Sequence, residues 1–350
     1  MSKSEPRPVS IRRYEEADNA HLLTLLEKVF GVERTPEQWR WRFEQNPVQV
    51  ETGHRQVYAT LGIDETQETP VIAQYAVTPT FLNFAGMRLL GCQSGDTAVD
   101  PEYRGYGLFL TTALANYEML EANEFKLVYG FPNLNSFPGF IRRLNWHRVF
   151  RLHEYSLKLR VGRVPLGPLV RARRARGAMS LSRRFKGRDL AFAVEDSVPE
   201  DFDSLWKEVS RYEVLSVWKD RAYLEWRYAD NRSTNYRFYS LREDGKLLAL
   251  AVATSIRETL RVTELLSAKK DVPLAQLLVQ HLTRRTMGEP VHSITFTGRD
   301  DLFFESVFTG YARTASPLVF CLLEFDRDEV GSRARIPGNW TVTSGDLDYL

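Results

Sequence analysis

One stretch gives the strongest indication of the fold, and it reads Asp96-Thr-Ala-Val-Asp-Pro-Glu-Tyr-Arg-Gly-Tyr-Gly-Leu-Phe-Leu110. An apolar strand end at Ala98 and Val99 leads into a proline, a glycine-containing turn and a long helical pattern. The backbone N–H groups of residues 104–109 therefore converge at a helix N-terminus, where unpaired donors and the helix dipole favour an anion. Arg104 adds a positive charge, so the sequence predicts a phosphate-binding loop.

Two familiar phosphate loops do not fit this spelling. A Walker loop needs a glycine ahead of Lys-Ser or Lys-Thr, and a dinucleotide fingerprint needs a third glycine where this chain has Leu110. The stretch instead resembles the acyl-CoA pyrophosphate loop of the GNAT acyltransferase superfamily, V-x-P-x-Y-R-G-x-G followed by an aliphatic residue. The matching residues are Val99, Pro101, Tyr103, Arg104, Gly105, Gly107 and Leu108.

This resemblance implies acetyl-CoA as the co-substrate and a set of residues that bind it. The family commonly has Gly or Ala where this chain has Phe109, whose side chain can point away because the loop uses backbone donors. An Asn at the exit of the following strand suits a hydrogen bond to the pantetheine arm. The predicted cofactor-binding residues are Ala98, Val99, Arg104, Gly105, Tyr106, Gly107, Leu108, Phe109, Asn133 and Ser136.

The elements around the loop follow the GNAT order. A first strand at 9–12 precedes a helix that stops at Gly31, and Thr35 and Pro36 begin a second helix. Strands at 56–63, 71–78 and 89–99 lead to the loop, and a helix, a strand at 126–130 and an extended stretch at 149–159 follow it. The predicted fold class is α/β (α+β), with a mixed, largely antiparallel twisted sheet flanked by helices.

The second half of the chain repeats this pattern with a period of about 170–185 residues. The stretch 223–231, Tyr-Leu-Glu-Trp-Arg-Tyr-Ala-Asp-Asn, mirrors residues 39–46 in character and place. Opposite the first Arg-Gly-Tyr-Gly turn, however, the second half has Ser267-Ala-Lys-Lys-Asp-Val-Pro273, without glycine. Its backbone is less free to turn amides inward, although two lysines leave some affinity for anions. We expect a degenerate copy that shapes or covers the substrate site.

The repeat and the charge pattern predict four segments. Residues 1–159 form an acyl-CoA-binding catalytic domain, 160–188 a linker, 189–326 the degenerate GNAT-like domain, and 327–350 a C-terminal tail. The linker holds ten Lys or Arg and no acidic residue. Such a run is a solvated connector or, alternatively, a site for polyanions such as nucleic acid, but Phe185 is its single aromatic residue, which gives little support for base stacking.

Composition places the chain among soluble globular proteins, with 43% hydrophobic and 26% charged residues and a net charge of +2. Cys92 and Cys321 lie in different halves, which favours a reducing cytoplasmic setting over a disulfide framework. The sequence shows neither an apolar signal core nor a run long enough to cross a bilayer. His147 and His153 lack neighbouring ligands, so no metal is expected. The oligomeric state stays open.

Transfer to an amine requires removal of a proton, and the family often places an acidic residue on the strand before the loop. Asp96 is the carboxylate there, and a structural role is its alternative. The family's frequent general acid, a tyrosine four residues before a Gly-aromatic pair, is Ile141 here. Tyr129 is therefore the predicted acid, with Tyr106 or solvent as alternatives. The backbone N–H near Val99 is expected to polarise the thioester.

The resulting hypothesis is an N-acetyltransferase that moves an acetyl group from acetyl-CoA to a primary amine on a small molecule or peptide. Two alternatives stay open. One is a Fem-type aminoacyl transferase that uses charged tRNA, which is also built from paired GNAT-like halves but does not need the loop. The other is a non-catalytic CoA-binding regulatory module, which Phe109 and Ile141 favour.

Overall fold

The computed structural model describes residues 8–347 except 54–55, 162–163, 166–184, 186, 232 and 326–328. By its contacts the chain divides into two compact units. Unit 1 contains Met1–Phe81, Leu89–Val149 and Phe320–Arg335, and unit 2 contains Leu82–Arg88, Phe150–Val319 and Ile336–Leu350. Each is a mixed α/β unit whose largely antiparallel sheet is flanked by helices, which confirms the predicted fold class.

Unit 1 is built around the strand order β1-β2-β3-β4-β5-β15. Its strands are β1 (Ser10–Arg13), β2 (Ala59–Ile63), β3 (Val71–Phe84), β4 (Met87–Val99), β5 (Leu127–Gly130), the start of β6 (His147–Lys158) and the end of β15 (Ala312–Glu324). Its helices are α1 (Asn19–Phe30), α2 (Pro36–Phe43), α3 (Pro47–Thr52), α4 (Leu108–Ala122), α5 (Phe137–Arg143) and α10 (Glu329–Ala334). The final strand is antiparallel to β5, with Cys321 opposite Gly130.

Local sequence signals set the ends of the helices in unit 1. Gly31 ends α1 in the left-handed conformation at φ 68°, and the Thr35 side chain accepts from the Gln38 N–H at the start of α2. Helix α3 is an addition to the predicted elements, and it begins at the pair Asn46-Pro47, which follows the end of α2. The same pair begins a helix, since Asn46 caps it through the Gln49 N–H and the proline occupies its first turn.

The parallel pairing of β4 with β5 is short. It joins Cys92 to Val128 and Gln93 to Tyr129, and among the described residues the ladder ends there although β4 continues to Val99. The two strands therefore separate toward the loop that follows β4. Helices α1 and α2 cover the adjoining apolar core, whose fully buried members include Leu22, Leu26, Trp39, Phe43, Ala59 and Leu61.

Unit 2 repeats the element order of unit 1. It contains most of β6, a short hairpin of β7 (Arg160–Val161) and β8 (Val164–Pro165), and then β9 (Leu190–Glu195), β10 (Leu215–Val217), β11 (Tyr236–Glu243), β12 (Lys246–Ile256), β13 (Thr259–Ser267), β14 (Ser293–Arg299) and the start of β15. Its helices are α6 (Phe202–Ser210), α7 (Arg221–Leu224, continued by a π-helical turn at Glu225–Ala229), α8 (Val272–Thr286) and α9 (Leu302–Val307). The sheet order is β6-β14-β13-β12-β11-β9.

The units differ from the linear domain boundaries that the sequence predicts. Residues 150–159 belong to unit 2 because β6 pairs with β14, with Tyr155 opposite Phe296. Residues 320–335 belong to unit 1, and the described part of the predicted tail is folded, with Trp340 1% exposed in unit 2. Strand pairing between distant segments decides this division. Most of the basic stretch 160–188 lies outside the described residues.

An ion pair in unit 2 gives a pH-dependent stability. Arg242 donates to both carboxylate oxygens of Asp201 at 2.8 and 2.9 Å, and this hydrogen bonding lowers the pKa of Asp201. A carboxylate with a lowered pKa stabilises the fold above its unfolded pKa of about 3.9, and the contribution is lost as the pH falls through the lower folded pKa. We expect Arg242→Met to destabilise the protein by up to about 1 kcal/mol at pH 7 and less at pH 3.

Urea unfolding at the two pH values measures this difference. Arg237→Met is the matched control, since Arg237 is on the same strand, is 54% exposed and lies 3.9 Å from a carboxylate that is 94% exposed. An equal loss of stability for Arg242→Met at both pH values would contradict the assignment of the ion pair.

Candidate active site

The loop between β4 and α4 is a tight, glycine-dependent turn. Residues Pro101–Tyr103 form a 3-10 turn, and Gly105 and Gly107 follow with φ angles of 91° and 81°. Residues other than glycine rarely adopt this backbone conformation. An added Cβ at either glycine would meet nothing within 4 Å. The loop therefore turns through two positions that require glycine and leaves open space in front of both.

The start of α4 presents unused backbone donors. Gly107 is the N-cap and supplies no side chain, and the first turn of the helix holds no acidic residue. Among the residues that the structure describes, none accepts from the backbone N–H groups of Gly105, Gly107, Leu108 or Phe109. Four donors at the positive end of a 15-residue helix form an arrangement that can bind an anion such as a pyrophosphate.

Contacts on the inner side of the loop hold it in place. Tyr103, 2% exposed, donates its hydroxyl to Asp64 Oδ2 at 2.5 Å, which ties the loop to the end of β2. Asp100 accepts from the Glu102 N–H at 3.0 Å and forms an ion pair with Lys28 at 2.8 Å. These interactions fix the backbone, while Arg104 and Tyr106 on the outer side are exposed.

Phe109, the departure from the family pattern, packs away from the loop. Its ring makes an edge-to-face contact with Phe140 of α5 at 5.2 Å between centroids. The ring also lies against Gly139, where an added Cβ would come within 2.8 Å of it. The space that a bulky residue needs at position 109 is thus supplied by a glycine on the neighbouring helix, and the backbone N–H of Phe109 stays with the other donors.

Asp96 lies in β4 on the side of the loop where the strands separate. It takes a φ of 52°, an interruption of the extended strand that an aspartate tolerates, and its side chain is 4% exposed. Its Oδ2 accepts from Arg34 at 2.5 Å and from Arg42 at 3.1 Å. Two guanidinium groups therefore compensate the charge of the buried carboxylate.

Sequence reasoning missed Arg34 and Arg42, because they are 62 and 54 residues away from Asp96 along the chain. Two further buried polar atoms lie on this stretch of sheet. Gln74 donates to the Asp96 carbonyl at 2.7 Å, while its own Oε1 and the hydroxyl of Thr97 have no partner among the described residues. The floor beneath the separating strands is consequently polar and charged.

The other predicted site residues lie at the end of β4, at the start of α4 and on β5. Ala98 and Leu108 are buried, and Val99 is half-buried at the end of β4. Tyr129 is 3% exposed on β5, and its ring stacks on Phe320 at 5.6 Å. The structure thus brings the loop residues together at the start of α4, with Asp96 on β4 and Tyr129 on the adjacent β5.

Asn133 and Ser136 form a turn at the exit of β5. Asn133 Oδ1 accepts from the backbone N–H groups of Asn135 and Ser136, both at 3.0 Å, and from the Ser136 hydroxyl at 3.2 Å. The amide oxygen of Asn133 is therefore used within the turn, and none of the described residues accepts from its Nδ2 group.

The corresponding loop of unit 2 differs at the start of the helix that follows it. Lys269 and Lys270 adopt φ angles of 55° and 52° where unit 1 has glycines. The Asp271 side chain accepts from the Leu274 N–H at 3.0 Å and so caps α8 with a carboxylate, and Pro273 in the first turn lacks a donor. The start of α8 thus already holds a negative charge, whereas the start of α4 is open.

A glycine-turned loop before α4, open amides and separating parallel strands thus lie together in unit 1. Residues 10–149 match the family model of the acetyltransferase (GNAT) domain. The predicted resemblance to GNAT acyltransferases is therefore confirmed.

Solved structures with the same fold span nearly the whole chain. A probable N-acyltransferase from Enterococcus faecalis is 15% identical, with a TM-score of 0.62, over 91% of this chain and 73% of that chain. A GCN5-related N-acetyltransferase from Anabaena variabilis is 11% identical, with a TM-score of 0.63 and the same coverages. Saccharomyces cerevisiae N-myristoyltransferase with bound myristoylCoA is 10% identical, with a TM-score of 0.53, over 92% and 85%. A search of curated proteins gives no match.

Neither a cluster of metal ligands nor a membrane-spanning helix occurs among the described residues. Among them, no group of three or more His, Cys, Asp or Glu side chains has an arrangement that could hold a metal ion. None of the helices in the described part of the chain is long and apolar enough to cross a bilayer.

Proposed function

We propose that the protein transfers an acetyl group from acetyl-CoA to a primary amine, with the cofactor bound at the loop of residues 104–109. The single observation that supports this most is the contrast between the two helix starts. The amides of Gly107 and Leu108 at α4 are open, whereas Asp271 caps the equivalent α8. The likeness in fold to N-myristoyltransferase, which was solved with bound myristoylCoA, supports an acyl-CoA donor.

The proposed reaction is a direct attack on the thioester. The amine nitrogen forms a bond to the carbonyl carbon, the C–S bond breaks, and CoA leaves as its thiol. The amine proton passes to Asp96, directly or through water, and the Tyr129 hydroxyl protonates the leaving sulfur. The backbone N–H near Val99 polarises the carbonyl oxygen. The binding roles of Ala98, Asn133 and Ser136 belong to the same proposal.

The surroundings of Asp96 define how it acts. Its Oδ2 is held by two arginines, so proton transfer involves Oδ1, and Arg34 and Arg42 fix the orientation of the carboxylate. We also propose a cytoplasmic location, which the two buried, free thiols of Cys92 and Cys321 support.

Asp96→Asn tests the proposed base. We expect kcat to fall by about 100-fold, because an amide cannot accept the amine proton, while acetyl-CoA still stabilises the variant against heat. Release of the CoA thiol on mixing with amine acceptors measures turnover. Glu37→Gln, which removes an exposed carboxylate that forms an ion pair with Arg40, serves as the control and should stay within two-fold. Unchanged turnover in Asp96→Asn would remove Asp96 from the mechanism.

A further inference from the structure

A segment near the C-terminus lies in unit 2 where β13 and β14 separate. These strands pair from Thr259 to Val262, while β13 continues to Ser267. In the opening beyond, the Arg299 N–H donates to the Val342 carbonyl at 2.8 Å, and Gly298 is bridged to Thr343. The segment 340–347 therefore occupies the opening of unit 2 that corresponds to the gap between β4 and β5 in unit 1.

Two cationic side chains of unit 2 bind this segment. One binds a carboxylate of the segment, and the other binds two of its peptide carbonyls. Lys219 Nζ lies 2.9 Å from Asp346 Oδ1 and 2.7 Å from Glu264 Oε2. Arg227 donates from Nε to the Gly345 carbonyl at 3.1 Å and from Nη2 to the Leu347 carbonyl. The pocket fits a peptide tightly, since an added Cβ on Gly345 would lie 2.1 Å from Glu264 Oε1.

Unit 1 has charged residues at the positions that correspond to Lys219, Arg227 and Glu264 of unit 2. Arg34 and Lys219 each directly precede the N-cap of a helix, which is Thr35 for α2 and Asp220 for α7.

Arg42 and Arg227 each lie seven residues after those caps. Asp96 and Glu264 each lie three residues before the end of the strand that enters the loop, and each binds the cation in front of its helix. The three charged residues of unit 1 and the three that bind the peptide segment in unit 2 therefore have the same arrangement, which we call the charged frame.

The frames differ by one negative charge. Among the described residues, the unit 2 frame pairs Lys219 and Arg227 with two carboxylates, Glu264 and Asp346. The unit 1 frame pairs two arginines with the single carboxylate of Asp96. The Arg34 side chain is 30% exposed, and no other described carboxylate or carbonyl accepts from it. Unit 1 thus has a cation in the position that binds a carboxylate in unit 2.

We propose that the amine acceptor also bears a carboxylate and that Arg34 binds this group. The inference rests on the proposed function, and it selects amino acids or short acidic peptides from the general class of primary amines. A guanidinium recognises a carboxylate with two parallel hydrogen bonds, so the charge fixes the acceptor in one orientation as well as attracting it. Arg34 is thereby a specificity-determining residue.

Matched acceptors test the proposal on the full chain. Acetyl-CoA is mixed with the α-amino acids, with their carboxamides, and with dipeptides that bear Asp or Glu, and thiol release is followed. We expect acids to be acetylated with a kcat/KM at least ten-fold above that of their carboxamides. The amino acid and dipeptide arms identify which source of carboxylate is used.

Variants of Arg34 separate binding of the carboxylate from structural damage. Arg34→Gln should lower the preference for the best acid over its carboxamide, taken as the ratio of their kcat/KM values, about ten-fold, and Arg34→Lys should partly restore it. Any effect of the variant on the orientation of Asp96 acts on both acceptors and cancels in this ratio. Arg40→Gln is the control, since Arg40 is exposed on α2 and bound only to Glu37 in the described structure.

The outcomes distinguish a failure of this inference from a failure of the proposed function. Equal rates for acids and carboxamides, or turnover of other amines alone, would overturn this inference and leave the acetyltransferase proposal in place. Binding of acetyl-CoA without turnover of any acid or dipeptide would overturn it as well. Failure to bind acetyl-CoA would instead overturn the proposed function.

Discussion

Gly107→Trp is expected to abolish the thermal stabilisation that acetyl-CoA gives the wild-type protein. Gly107 is the N-cap of α4 at φ 81°, and the space in front of it is open. An indole at this position fills the space in which the backbone N–H groups of residues 105–109 meet a pyrophosphate. A ligand at about 100 times its Kd stabilises a protein by about 2.7 kcal/mol, so the wild-type Tm should rise by roughly 5–10 °C.

Gly245→Trp is the matched control for this experiment. Gly245 has the same φ of 81° and also has nothing within 4 Å of an added Cβ, but it lies in the turn between β11 and β12 of unit 2. Both variants take on the same backbone strain. We expect the Gly245→Trp protein to keep the full acetyl-CoA shift, so an equal loss in both variants would show that strain and not occupancy of the loop is responsible.

Lys219→Met is expected to destabilise unit 2 by about 3–5 kcal/mol. Lys219 is 3% exposed and compensates the charges of Glu264 and Asp346, which the substitution leaves buried without their cation. Burial lowers the pKa of Lys219, but the two carboxylates outweigh this effect and hold it above its ordinary value. The contribution is therefore fully present below about pH 10.4 and is lost as the pH rises through the higher folded pKa.

Thermal and urea unfolding of the variant measure this loss. Lys246→Met removes a lysine that is 56% exposed and paired with Glu208, and it should cost less than about 0.5 kcal/mol. Adding Glu264→Gln to Lys219→Met removes one uncompensated charge and should restore part of the stability. A loss below about 1 kcal/mol for Lys219→Met alone would contradict the role of the lysine in the frame.

Much of unit 1 could be predicted from sequence because its signals are local. The Gly31 stop, the Thr35 cap and the loop glycines each act through their own backbone conformation, and the structure shows all of them. Helix α3 is outside the prediction for a local reason too, since a proline is common both after the end of one helix and in the first turn of another.

The charged frame could not be predicted, because its members are distant along the chain. Arg34, Arg42 and Asp96 meet only when α2 packs beside β4. A signal was present in the repeat, since Trp-Arg occurs at 41–42 and again at 226–227. The folding of residues 340–347 into unit 2 had no comparable signal, because it depends on strand pairing with Gly298. Sequence order alone therefore predicts a tail at residues 327–350.

A calorimetric titration of the full chain with acetyl-CoA tests the central claim most directly. The open start of α4 and the capped start of α8 predict one site per chain, and this site should disappear in Gly107→Trp and persist in Gly245→Trp. A stoichiometry of two, the absence of binding to the wild type, or undiminished binding by Gly107→Trp would contradict it.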